Sequence, residues 1–197
     1  MNPAVKLALS ALVTGSVALA AGGLTYSAFS STTSNNGNSL QVGSVHLSDN
    51  DLGSALVSLS GAVPGDAASG CILITYGGTL NAQVRLYAAV SGALAPYLDV
   101  KIWRGIDASP SFPACTGFVA DLTDYIGAGP GVIYAGTLAN LPSSFTSGIH
   151  DPASTGGDET WTTSEQHSYK VTATLKNDPN AAGLSASADL IWEARNL

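Results

Sequence analysis

Few residues in this 197-residue sequence carry chemistry beyond packing. The three histidines are His46, His150 and His167. A zinc peptidase needs two or three nitrogen or carboxylate ligands on a rigid element, together with a general base. No HExxH is present, and no two histidines have close ligand spacing. His46 falls at a strand end, His150 in a loop before Asp151-Pro152, and His167 at a strand start. Each is expected to be a solvated or edge histidine. Asp158, Glu159 and Glu165 offer carboxylates to a cation, but acids in a loop are ordinarily just solvated. Asp49-Asn50-Asp51 has the spacing of part of a calcium loop and lacks the rest of it. There is no GxSxG, and no Ser/His/Asp arrangement can be built. The expectation is no catalytic residue, no metal site and no cofactor.

The two cysteines, Cys71 and Cys115, have no CxxC spacing. Their functional reading is a metal pair or a reactive thiol. Their structural reading is a disulfide closing a loop of about 45 residues, worth roughly 3–4 kcal/mol in the chain-entropy model. The disulfide is the expected state if the chain is exported to an oxidising compartment.

The elements that must position these residues read as strands. Leu40, Val42, Val45 and Leu47 are apolar, with a phase change at Gly43 that suggests a bulge. Ala55–Leu59 is a short apolar run. Val63-Pro64-Gly65-Asp66 is a turn, because Pro presets φ and Gly accepts the left-handed region. Cys71–Tyr76 is rich in β-branched residues and reads as a buried strand. Val84, Leu86, Ala88 and Val90 share one face of the next segment. Leu98, Val100 and Ile102 alternate with Asp99, Lys101 and Trp103. Tyr169, Val171, Ala173 and Leu175 share a face, as do Ala186, Ala188, Leu190, Trp192 and Ala194. Period-two segments of this kind are half-buried antiparallel strands. Residues 105–130 form a long insertion holding Cys115, and a loop this long is usually functional or tied down. Residues 133–141 predict a short strand and a helical turn, and 142–164 read as loop. The fold class is all-β: a jelly roll or β-sandwich of about 7–8 antiparallel strands.

The N-terminus adds a destination. Lys6 is the only charge before Asp49, and Leu7 to Ala21 is apolar or small. A basic start, a short apolar run and small residues after it describe a signal peptide. The run is Ala-rich and ends at Gly22-Gly23, short of the roughly 20 strongly apolar residues a membrane span needs. Cleavage after Ala18-Leu19-Ala20 fits the small-x-small rule. Cleavage after Tyr26-Ser27-Ala28 is the competing site. Removing residues 1–28 leaves six basic against 14 acidic residues, a formal charge of −8. The basic residues are scattered, which argues against nucleic-acid binding. Residues 29–38 read as a polar, flexible segment, and 39–197 as the sandwich domain. The C-terminus has neither an apolar tail nor an LPxTG-like signal, so covalent wall anchoring is not expected.

The join between signal and domain resembles that of the TasA/camelysin family of bacterial biofilm-matrix proteins. The matching residues are Gly22-Gly23, Tyr26, Ala28-Phe29-Ser30 and Gly43-Ser44-Val45-His46-Leu47. The likeness continues at Val63-Pro64-Gly65-Asp66, Gly77-Gly78-Thr79-Leu80, Tyr169-Lys170-Val171-Thr172 and Trp192-Glu193-Ala194. The chain departs from the pattern in its Cys115-containing insertion and in Ser31, where Asp is usual. The insertion looks like versions found in high-GC Gram-positive bacteria. The resemblance implies cleavage between Ala28 and Phe29 by a dedicated signal peptidase. It further implies a jelly-roll domain secreted to the matrix or cell surface and assembling into fibres. In such fibres Phe29, Ser30, Ser31, Thr32 and Thr33 would begin a segment donated to the next subunit. The partners are then further copies of the chain, head to tail, and possible other matrix proteins.

Main-chain pairing at a sheet edge makes strand donation physically reasonable. The segment itself is a poor filler of pockets, since only Phe29 is a large apolar anchor. A donor strand that begins later would include Leu40 and Val42. Two other readings stand beside the fibre. One is a binding domain using Trp103, Trp161 and Tyr87 on an exposed face, for example for a glycan. The other is a metallopeptidase of the camelysin type.

Overall fold

The computed structural model describes residues 43–106 and 109–197. The signal peptide, the Ala28/Phe29 junction, the segment 29–38, and Leu40 and Val42 lie outside the described residues.

The domain is all-β, as the alternation predicts. The described residues form eight strands: β1 (Leu47–Asp49), β2 (Ala67–Tyr76), β3 (Ala82–Ser91), β4 (Leu98–Arg104), β5 (Val132–Thr137), β6 (Ile149–His150), β7 (Gln166–Leu175) and β8 (Ser187–Asn196). They form two antiparallel sheets. One has the order β1-β2-β7-β4-β5, the other β6-β3-β8. The chain crosses between sheets after β2, β3, β5, β6 and β7. The long pairings are therefore non-local: Ala67–Thr75 against Gln166–Thr174, and Ala82–Ser91 against Ser187–Asn196.

The period-two pattern sets which side chains meet. Ile72, Ile74 and Tyr76 of β2, Leu98, Val100 and Ile102 of β4, and Tyr169 and Val171 of β7 face Val84, Leu86 and Ala88 of β3. Fully burying one such aliphatic or aromatic side chain contributes about 1.5–3 kcal/mol. The 63–66 turn forms, with Asp66 N–H donating to Val63 O at 2.9 Å. The predicted strand and helical turn at 133–141 appear as β5 and a 3-10 turn at Leu138–Asn140.

One local expectation is corrected. Of the strand-like stretch, the described residues 43–46 do not join the ladder, which begins at Leu47. Ser44 is diverted: its carbonyl accepts Thr79 N–H at 2.8 Å and Leu80 N–H at 3.2 Å, and its own N–H goes to Thr79 Oγ1. Those groups clamp the 77–80 turn instead of extending a ladder. In β8 the inward residues Ala188, Leu190, Trp192 and Ala194 are only half-buried. Among the described residues no strand lies beyond β8 to cover them.

The insertion 105–130 is tied at three points. Cys71 and Cys115 form the expected disulfide, with Cα atoms 4.9 Å apart. At the same point Cys71 N–H donates to Pro113 O at 3.1 Å. Asn50 links the same edge, accepting Leu73 N–H at 2.9 Å and donating to Pro110 O at 3.3 Å. The third tie is Arg104.

Candidate functional site

Two features of this scaffold bear on function: a buried polar centre at one end of the core and an open apolar groove at the other.

The polar centre grows from strand parity. Leu98, Val100 and Ile102 face inward, so residue 104 does too, and Arg104 enters the interior. His167 shares the inward parity of Tyr169 and Val171. Arg104 Nε donates to Asp151 Oδ1 at 3.0 Å and Nη1 to Asp121 Oδ2 at 2.7 Å. Nη2 lies 3.0 Å from His167 Nε2 and 3.6 Å from Glu159 Oε2. Asp151 collects three more donors: Tyr169 OH at 2.8 Å, Trp161 Nε1 at 2.9 Å and His167 Nδ1 at 2.7 Å. The Asp151 side chain is 2 % exposed and that of Arg104 8 %. A buried charge is tolerated only when it is paired and hydrogen-bonded, and these are. Gly131 lets the insertion return against the centre. Its φ is +72°, and a Cβ there would sit 2.8 Å from Arg104 O.

The electrostatics follow from this geometry. Burial works against the Arg104 charge, but Asp151, Asp121 and the neighbouring tyrosines hold its pKa above the ordinary arginine value. Burial likewise opposes ionised Asp121, yet the Thr123 N–H, the Tyr125 hydroxyl and Arg104 together hold its carboxyl below the usual value. Burial and the bond to Asp121 push Tyr125 up to about 12. Burial and Asp151 raise fully enclosed Tyr169 well above the usual tyrosine value. The centre thus fastens β4, the insertion, the 142–165 loop and β7 to one another. Its chemistry is that of a saturated cross-link.

Several sequence expectations change here. His167 is not a solvated or edge histidine: it is buried in a central strand because its parity points it inward. His46 is exposed, and His150 lies at the surface hydrogen-bonded to Asp158. Asp158, Glu159 and Glu165 are not merely solvated. Asp158 pairs with Arg85 at 3.4 Å, Glu159 reaches Arg104, and Glu165 accepts Thr162 N–H at 2.8 Å while lying 3.5 Å from His167. The Asp49-Asn50-Asp51 carboxylates serve local turns, with Gly53 N–H donating to Asp51 Oδ1 at 2.6 Å. Trp161 is fully buried, so Trp103, Trp161 and Tyr87 do not form one exposed aromatic face. Trp103 is half-buried between the ammonium groups of Lys101 and Lys170, and Tyr87 donates to Glu193 at 2.8 Å. Arg104, Asp121 and Asp151 were missed as a unit. Parity alone would have flagged Arg104 and His167. The two aspartates come from loops, where no period operates.

The groove has a volume of about 990 Å³. Ile72, Leu98, Val100, Val171 and Leu175 form its floor, from the inner face of the five-stranded sheet. One wall is β8 with Leu190 and Trp192; the other is the segment 55–63, with Leu56, Val57 and Leu59. The loop 178–186 closes one end. The outer edge of β8 has no ladder partner among the described residues. Among the described residues, a ten-residue sheet edge thus lies beside an apolar floor, and such an edge is a template for main-chain pairing. Gly43, where the described chain begins, packs on Leu80, and Ala82 pairs with Asn196 at the far end of β8. The chain's entry therefore lies by the Asn196 end of β8, and the part of the groove lined by Leu94 and Ser187 lies at the opposite end.

The chain matches no protein-family model and no curated protein sequence.

Proposed function

We propose that this is a secreted structural protein that assembles into extracellular matrix fibres. The segment following the signal peptide, from Phe29 onward, would add a strand along β8 of the next copy and cover its groove. The carrying observation is the β8 edge, without a ladder partner among the described residues, beside the apolar groove. An extended peptide there gains main-chain hydrogen bonds from the edge and apolar contact from the floor. Because the entry and that part of the groove lie at opposite ends of β8, donation between copies is head-to-tail and does not close, which builds a filament. The Cys71–Cys115 disulfide suits an oxidising, extracellular setting. The resemblance of the join to the TasA/camelysin family supports the same reading. In it, the signal peptidase frees the donor end.

Electron microscopy of the purified chain beginning at Phe29 tests this. Filaments are expected, and they should disappear when residues 29–38 are deleted. Ala188→Trp, which fills the groove from β8, should also abolish them while the circular dichroism of the sheet is retained. A chain that stays monomeric at high concentration refutes the proposal.

A further inference from the structure

The groove has an unusual wall. Residues 55–62 place Leu56, Val57, Leu59 and Ala62 against the core as half-buried side chains, with Ala55, Ser58 and Ser60 exposed between them. Yet this segment makes no hydrogen bond to any described residue, by main chain or side chain. Both flanks are fixed. At one end Ser54 N–H donates to Asp51 O at 3.0 Å. At the other, Val63 N–H donates to Asp66 Oδ2 at 2.9 Å and Gly65 N–H to Leu175 O at 2.8 Å. Positive φ values at Leu52, Gly53, Gly61 and Gly65 mark sharp reversals near both ends. The segment is a strap, pinned at its ends and held in between by apolar contact alone.

We propose that residues 55–62 are a displaceable cover of the groove, occupying part of it in the free subunit and lifted when a strand is added along β8. This rests on the strand-donation reading and adds a regulatory step to it. A segment with few buried contacts and no backbone pairing opens at low free-energy cost compared with a ladder strand. An incoming strand that pairs with β8 replaces the strap's apolar contacts and adds main-chain bonds the strap never makes. The free subunit therefore keeps its apolar floor partly shielded, and assembly proceeds at a rate set by strap opening. Gly70 of β2 is the point of closest contact. A Cβ there would lie 1.9 Å from Leu56 O, so Gly70→Ala must push the strap away from the sheet.

The test uses the chain beginning at Phe29, held dilute, and a fluorescent peptide of residues 29–42. Both native cysteines are in the disulfide, so Leu59→Cys introduces the single thiol. Peptide binding is read by anisotropy and thiol exposure by labelling rate. Labelling is expected to rise by about tenfold on peptide addition, as for a segment passing from mostly closed to mostly open. Gly70→Ala should raise the peptide association rate severalfold, with the sheet signal unchanged. If the peptide binds but labelling is unchanged or slower, and Gly70→Ala binds at the parental rate, the strap inference falls while strand donation stands. If the peptide does not bind and no filaments form, both fall.

Discussion

Replacing Arg104 by Met tests the account of the polar centre most directly. Met keeps most of the side-chain volume and removes the guanidinium. Its loss leaves Asp151, at 2 % exposure, and Asp121, at 13 %, without their cation. Breaking a buried pair from one side costs about 3–5 kcal/mol. Asp151 retains Tyr169, Trp161 and His167 as donors, and Asp121 retains Tyr125 and the Thr123 N–H. That places the cost toward the lower end, at about 3–4 kcal/mol. For a domain of this size the melting temperature should fall by roughly 6–16 °C. Urea unfolding followed by circular dichroism is the assay, with the midpoint lowered and the slope unchanged. A double-mutant cycle with Asp121→Asn should give a coupling of about 1–3 kcal/mol, because the two groups touch. Hydrogen exchange should quicken at Gly131, whose N–H donates to Thr123 O, and at Thr123, whose N–H donates to Asp121 Oδ1, because both depend on the insertion lying against Arg104. A loss below about 1 kcal/mol, typical of exposed ion pairs, would refute the claim that the centre is a buried, saturated cross-link.

Further consequences can be checked by simple measurements. Cys115→Ser opens the cross-link spanning 44 positions and should cost about 4 kcal/mol by the loop-entropy relation, read by urea unfolding. The carboxyl of Asp121 is held below its ordinary value of 3.8, so its contribution to stability is complete above that pH and lost as pH falls through the lower folded value. Acid unfolding of Asp121→Asn should lack that component. Tyr125 is raised from 10 to about 12, so its contribution is complete below pH 10 and lost as pH rises from there toward 12. Ultraviolet titration should show Tyr125 and Tyr169 ionising above the ordinary tyrosine value of 10. Trp161→Phe removes one donor to Asp151 and should destabilise the domain by about 1–3 kcal/mol in the same urea assay.

The local period of two was enough to identify most strands, because side-chain alternation is a property of the extended backbone itself. Cys71–Tyr76, the 82–90 segment, 98–103 and 169–175 all lie where their alternation placed them. The disulfide was readable too, since two cysteines without CxxC spacing leave one pairing. Parity even held the clue to Arg104 and His167, which continue the inward series of β4 and β7. The loop residues Asp121 and Asp151 carried no such signal. They meet Arg104 only because the insertion and the 142–165 loop converge on the end of β4. The groove is likewise a product of strand order. Whether β8 has a neighbour, and whether the 55–62 run becomes a strand or a strap, depends on pairings between β2 and β7 and between β3 and β8, roughly a hundred residues apart in sequence. The sequence by itself determined an all-β chain and one cross-link. Only the tertiary structure decided that, among the described residues, no strand pairs with the outer edge of β8 beside the groove, because an edge is defined by what lies next to it.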